Sequence, residues 1–267
     1  MLTSYHVHSN RSDGTSSIRA LVQAAVAAGV NELGISDHYV HLTNGKIVDW
    51  SMMLSELPAY FKEIKAAADE VKGKLVVRLG LEADFDPKTW RDLAKVLRSY
   101  PLDYVIGSVH FVDGFPIDDT TDYWDDLSEP ERNDMMRGYY TRMKQMAETG
   151  IFDFAGHLDL CKKFGHKPTI DLSADIAAVL DAIAASRMAV EVNTAGYYLP
   201  AEEAYPSLAI LQECNRRSIP VVLNADTHSA ENLTRGFDKG RQLIIDAGYT
   251  HTAVFAARKM SLIPLSD

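Results

Sequence analysis

Seven short apolar runs recur along this chain, and a helical pattern follows most of them. The runs are SYHVH (4–8), ELGIS (32–36), KLVVRLGLE (74–82), DYVIGSVH (103–110), FDFAGH (152–157), MAVEVN (188–193) and IPVVLNAD (219–226). Between them lie IRALVQAAVAAG, LPAYFKEIKAAADEVKG, TWRDLAKVLRS, EPERNDMMRGYYTRMKQMAETG, ADIAAVLDAIAAS and LAILQECNRRS. Apolar residues in LVQAAVAAG and LAKVLRS return every three or four positions, the helical period. Gly29, Gly73 and Gly150 stand at helix ends, as C-terminal glycines do. Alternating strand and helix predicts a parallel sheet. Seven such units, with a further short strand at TAVFAA, favour a closed barrel, with an open doubly wound sheet as runner-up. No GxGxxG opens the first helix, which argues against a dinucleotide fold.

Length and composition fit that reading. The 267 residues suit one α/β barrel, so residues 1–267 are expected to form a single domain. The hydrophobic share of 46% supports a sizeable core. A net charge of −10, with no clustered Lys/Arg run, argues against a nucleic-acid partner. Bound divalent ions would offset part of that charge. Cys161 and Cys214 form no CxxC pair, and two cysteines make no disulfide framework, so a cytoplasmic protein is expected. The start MLTSYHVHSN lacks the basic and apolar parts of a signal peptide. No apolar run is long enough to span a membrane.

The polar residues gather at the strand ends. The first run carries His6 and His8, with Asp13–Gly14 close behind; the second leads into Asp37–His38. The third ends in Glu82, the fourth in His110, and the fifth in His157 with Asp159 two residues on. The sixth carries Glu191 and Asn193, and the seventh leads to Asp226 and His228. Side chains at i and i+2 share a strand face, so His6 and His8 are expected to point the same way. Taken singly, His110 reads as a hydrogen-bonded interior histidine and Glu82 as a paired structural carboxylate. Collected on the C-terminal rim of a barrel, where chemistry sits in this architecture, the same residues read as one metal site.

His6, His8, Asp13, His38, Glu82, His110, His157, Asp226 and His228 are the candidate ligands. Imidazole nitrogen with carboxylate oxygen suits Zn²⁺, Mn²⁺ or Fe²⁺ better than Mg²⁺ or Ca²⁺. Nine ligands exceed the needs of one ion and suit two or three. Clustered ions activate water and clamp phosphoryl oxygens, which makes a phosphate ester the natural substrate. An amide or lactone carbonyl stays open as an alternative. His41, His166 and His251 fall away from strand ends and read as surface or loop residues. Asp118–Asp119 and Asp125–Asp126 read as a solvated acidic face.

The ordered set HVHSNRSDG, ISDH, GLEADF, GSVH, AGHLDL and NADTH resembles the PHP (polymerase and histidinol phosphatase) superfamily over nearly the whole chain. DYVIGSVHFVDGFPID, GHLDLCKKFG and EVNTAG are similar to its stand-alone histidinol-phosphate phosphatases. The resemblance implies a distorted (β/α)7 barrel with a metal site at the C-terminal rim. It implies one ion on His6, His8, Glu82 and Asp226, a second on Glu82, His110 and His157, and a third on Asp13, His38 and His228. It implies hydrolysis of L-histidinol phosphate to L-histidinol and phosphate, in histidine biosynthesis. The alternative is another small phosphoester, a nucleotide or a phosphodiester. The leaving alkoxide is expected to take a proton from a metal-bound water, Asp226 or His228, and the sequence does not choose among them. Lys162 is the first candidate to hold phosphate, with Arg235 and Arg11 behind it. One departure from the family pattern follows EVNTAG, where YYLPAEEAYP carries no Lys or Arg. Glu202 and Glu203 there offer carboxylates to a cationic amine or imidazolium.

Overall fold

The computed structural model describes residues 1–41 and 48–265. Seven strands make the main sheet in sequence order: β1 (Thr3–Ser4), β2 (Glu32–Ile35), β3 (Val76–Asp84), β4 (Tyr104–Ser108), β5 (Phe154–Ala155), β6 (Ala189–Asn193) and β7 (Val221–Asn224). Each neighbouring pair is parallel. A two-residue strand, His38–Tyr39, also pairs with β3 and sets His38 beside Glu82.

β1 and β7 share no continuous ladder, which leaves one seam. Val7 and Thr227 bridge it in parallel. There His8 N donates to the Thr227 carbonyl (2.8 Å) and Thr227 N to the His6 carbonyl (3.1 Å). Lower down, Tyr5 N donates to Asn224 Oδ1 at 2.7 Å. The result is the nearly closed (β/α)7 barrel that the alternation predicts. Two strands are shorter than the sequence suggests. The run 4–8 is laddered only to Ser4, and 152–157 only over Phe154–Ala155.

The longer helices are α1 (Ile18–Ala27), α2 (Leu57–Glu70), α3 (Trp90–Arg98), α4 (Glu129–Glu148), α5 (Ser173–Ser186), α6 (Leu208–Arg216) and α7 (Phe237–Asp246). In α1 the buried residues are Ile18, Leu21, Val22 and Ala25, one face of a helix. Ser17 caps it by accepting from Ala20 N. Helix α7 is absent from the sequence expectation. Its Gly240 breaks the apolar pattern for a packing reason: a Cβ there would stand 2.5 Å from Leu223 Cδ1 on β7.

The TAVFAA segment corrects a second expectation. It is no barrel strand but part of an antiparallel hairpin, β8 (His251–Ala256) and β9 (Lys259–Pro264). The hairpin closes the N-terminal end of the barrel. Arg258 N donates to the Asp103 carbonyl just before β4, and Arg258 Nε to Asp153 Oδ2 just before β5. Phe255 packs against Tyr5 and Phe154, with ring centroids 5.7 and 5.2 Å away. With that end filled by aromatic rings, the opposite rim is left for chemistry. Among the described residues no helix is long and apolar enough to cross a membrane.

Candidate metal centre

The C-terminal strand ends converge on Glu82, a buried carboxylate on β3. Its Oε2 lies 3.1 Å from His6 Nε2, 3.4 Å from His8 Nε2 and 2.9 Å from His38 Nδ1. Its Oε1 lies 3.0 Å from His157 Nε2 and 3.6 Å from His110 Nε2. Ser108 Oγ donates to the same Oε1 at 2.5 Å. Five imidazoles thus share the two oxygens of one side chain.

Asp226 follows β7 with φ +50°. Its Oδ1 sits 3.3 Å from both His6 Nε2 and His8 Nε2. Toward solvent, Asp13 Oδ2 lies 3.1 Å from His228 Nε2 and 3.6 Å from His38 Nε2. The Asp13–Gly14 turn needs its glycine, because a Cβ at Gly14 would meet the His8 carbonyl oxygen at 2.3 Å. Asp37 holds this loop from behind, accepting from Ser9 N and Oγ (both 2.8 Å) and from Ser12 Oγ (2.6 Å).

All nine candidate ligands are therefore brought together. Their donor atoms fall into four overlapping groups, each within 4.8 Å: His8, Asp13, His38 and His228; His6, Glu82 and His157; His6, His8 and Asp226; His38, Glu82 and His110. A test of fit comes from the buried atoms. His6 Nε2, both ring nitrogens of His8, Glu82 Oε2, His110 Nδ1 and His157 Nδ1 are buried without a hydrogen-bond partner. Buried polar atoms are normally satisfied. A concentration of orphans in a set of nitrogen and carboxylate donors fits several divalent ions.

The electrostatics are those of a tightly packed charge cluster. Burial opposes protonation of His6, yet Asp226, Glu191 and Glu82 outweigh it and hold this imidazole well above its ordinary value. Burial pushes His8 down to about 3, helped by His38 and His228. His110 rises to about 9, because Asp118, Asp84 and Glu82 overcome its burial. Burial would raise Glu82, but His6 and His38 hold it well below the carboxylate range.

The cluster forms one wall of a cavity of about 570 Å³. Trp50, Phe111, Leu160, Leu199 and Tyr205 supply its apolar surface. Lys163 and Arg235 are the cations lining it. Lys162 does not reach it. In the turn after β5 its Nζ folds back to Asp159 Oδ2 (2.8 Å), Glu203 Oε1 (3.1 Å) and the Ala204 carbonyl (2.8 Å). Arg11 is turned to Glu63, with Nε 2.8 Å from its carboxylate. Glu202 and Glu203 are not on the cavity wall either; Asp49, Asp118 and Asp119 are its further acids. Asp118 is half-buried and paired rather than part of a free acidic face, with Lys163 Nζ 3.2 Å from its Oδ2 and donating to its carbonyl at 2.6 Å.

Arg235 explains the unusual YY that follows EVNTAG. Its guanidinium lies over the Tyr198 ring, 4.4 Å from the centroid, and Thr194 Oγ1 donates to its carbonyl at 2.6 Å. The tyrosine thus supports a cation that arrives from the loop after β7. Arg235 Nε is buried with no partner. Glu191, noted in the sequence as a strand-end acid, is fully buried behind His6, with Oε1 2.6 Å from His6 Nδ1. No ligand spacing marks it out, because it faces the back of a ligand.

A parallel (β/α)7 barrel with a His/Asp/Glu cluster on its C-terminal rim defines a metal-dependent barrel enzyme. The chain belongs to the PHP domain family, which matches residues 4–195. It is 38% identical over 249 residues to a probable histidinol-phosphatase of Deinococcus radiodurans, covering 92% of this chain and 93% of that one. It is 27% identical over 265 residues to a histidinol-phosphatase of Lactococcus lactis, covering 96% and 95%. The fold is similar to the crystal structure of histidinol phosphate phosphatase from Lactococcus lactis complexed with zinc, L-histidinol and phosphate. The TM-score is 0.84 at 26% identity, over 97% of this chain and 98% of that one.

Proposed function

We propose that this protein is a metal-dependent phosphomonoesterase that hydrolyses L-histidinol phosphate to L-histidinol and phosphate in histidine biosynthesis. The observation that carries this reading is the nine-residue cluster around Glu82, with its orphaned buried donors. The similarity to the lactococcal phosphatase supports the substrate. His6, His8, Asp13, His38, Glu82, His110, His157, Asp226 and His228 would hold the ions. Glu82 would bridge two of them, a role supported by its two oxygens facing different imidazoles. When bound, the ions supply Lewis acidity toward the phosphoryl group and lower the pKa of water.

The rest of the work falls to the chain. Arg235 lines the cavity, where its guanidinium is available to a phosphate oxygen, and charge-assisted hydrogen bonds of this type orient as well as bind. Lys163 adds positive charge at the wall, and Asp118 holds it in place. Asp49, Asp118 and Asp119 suit the cationic amine or imidazolium of the substrate. Trp50 and Phe111, stacked at 6.0 Å, and Tyr205 restrict water around the reacting group. Asp226 and His228 line the cavity and are the side chains proposed to pass a proton to the leaving alkoxide.

Residues 1–267 are taken as one catalytic domain. Both cysteines are free and buried, which suits a reducing cytoplasm. The test is phosphate release from L-histidinol phosphate, p-nitrophenyl phosphate and a dinucleotide by metal-loaded protein. A kcat/KM of about 10⁴–10⁸ M⁻¹s⁻¹ on the first is expected, far above the other two. Slow and similar rates on all three would remove the substrate assignment and leave a phosphoesterase for another ester.

A further inference from the structure

Glu191 has surroundings that only one type of side chain satisfies. It lies in β6 and is fully buried. Its Oε1 accepts from Asn224 Nδ2 (2.9 Å) and faces His6 Nδ1 (2.6 Å). Its Oε2 accepts from the backbone N–H of His157 (2.8 Å) and from Asn193 Nδ2 (3.1 Å). The backbone amide can only donate, and both side-chain amides turn their NH₂ ends here because Asn224 Oδ1 accepts from Tyr5 N (2.7 Å) and Asn193 Oδ1 from Ala195 N (2.9 Å), so both oxygens must be acceptors. A carboxylate meets that demand. A glutamine in its place would turn an NH₂ group toward donors.

The consequence reaches the cluster through His6. An imidazole that gives its Nδ1–H to Glu191 keeps its lone pair on Nε2. That Nε2 is the atom facing Glu82 and Asp226, at 3.1 and 3.3 Å, and it is buried without a hydrogen bond. The same carboxylate anchors the backbone of His157. Through Asn193, whose Nδ2 donates to Asp226 Oδ2 at 3.1 Å, it also reaches Asp226, two residues beyond β7.

We propose that Glu191 is the positioning residue of this metal centre: it fixes the Nδ1–H tautomer of His6 and sets His6, His157 and Asp226 in mutual register. It touches neither ion nor substrate. This rests on the reading of the cluster as a metal site. A residue that merely tied β6 to its neighbours would lower stability with or without metal, and would leave ion binding intact.

The test compares wild type with Glu191→Gln, using zinc per chain and chelator competition, beside thermal melts of metal-free protein. We expect Glu191→Gln to weaken zinc binding by about 10–100-fold at one or more positions. Wild-type zinc affinity and stoichiometry in a folded Glu191→Gln would overturn the proposal. Should that variant fail to fold, ¹⁵N spectra of the histidine rings in zinc-loaded wild type decide the matter. A proton on His6 Nδ1 is expected, and a proton on Nε2 overturns it. A wild type that takes up no zinc would overturn this proposal together with the metal reading, whereas inactivity toward L-histidinol phosphate would leave it standing.

Discussion

Replacing Glu82 with glutamine removes one charge and one oxygen from the centre of five imidazoles while keeping the side chain's shape. In the structure Oε2 is within 3.4 Å of three ring nitrogens and Oε1 within 3.6 Å of two. Two of the four potential ion groups include this residue. An amide nitrogen cannot stand in for a ligating oxygen, so at least one of the contacts proposed to bridge two ions would be lost. Stabilisation of phosphoryl charge by clustered ions amounts to several kcal/mol. Losing about 3–5 kcal/mol of it slows turnover roughly 10²–10⁴-fold, at 1.36 kcal/mol per decade. The assay is phosphate release by Glu82→Gln at saturating substrate, with metal content measured on the same sample. A thermal melt shows that the variant is folded. More than about a tenth of wild-type kcat, with a full complement of metal, would refute the bridging role.

Chelation should abolish turnover, and added Mn²⁺ or Zn²⁺ should restore it. Metal-loaded protein should also melt higher, since an ion at about 100 times its Kd stabilises by about 2.7 kcal/mol; equal melting with and without chelator would count against ions in the cluster. Arg235→Ala should lower kcat/KM for the phosphate ester about 10–100-fold, the loss of a hydrogen bond to a charged group, whereas Arg11→Ala should stay within about two-fold of wild type; the reverse order would discard Arg235 as the phosphate ligand. Phe255→Ala should cost about 3–5 kcal/mol of stability, a fall in Tm of roughly 6–20 °C, with kcat nearly unchanged at 25 °C; a lost kcat in folded protein would show that the lower end of the barrel reaches the chemistry.

Much of this molecule was legible because strand ends in a parallel barrel are a simple address. His110 and His157 sit just beyond apolar runs, and such runs must end at one rim or the other. What sequence could not show was rotation about the chain. Lys162 and Lys163 are neighbours, yet a single turn of 3-10 helix sends one to Asp159 and the other to the cavity wall. The role of Glu191 was hidden for a related reason, since its partners come from β7 and from the residues that follow β1 and β5, and no local pattern announces such a meeting. Helix α7 was masked by Gly240, whose missing side chain serves β7 rather than the helix. TAVFAA has the composition of a strand, but composition does not choose between an eighth stave and a plug.

The seam has a consequence for how the centre comes into being. His6 and His8 stand on one side of it and Asp226 on the other, and the outer contact joins Asp13 to His228 across 215 residues. Closing so distant a contact comes late in chain assembly, because its entropy cost precedes its reward. A growing or partly folded chain therefore lacks a finished binding site, however many histidines it already carries. Ion uptake would then act as a clasp that latches β1 to β7, and full occupancy would certify that both sides of the seam have met.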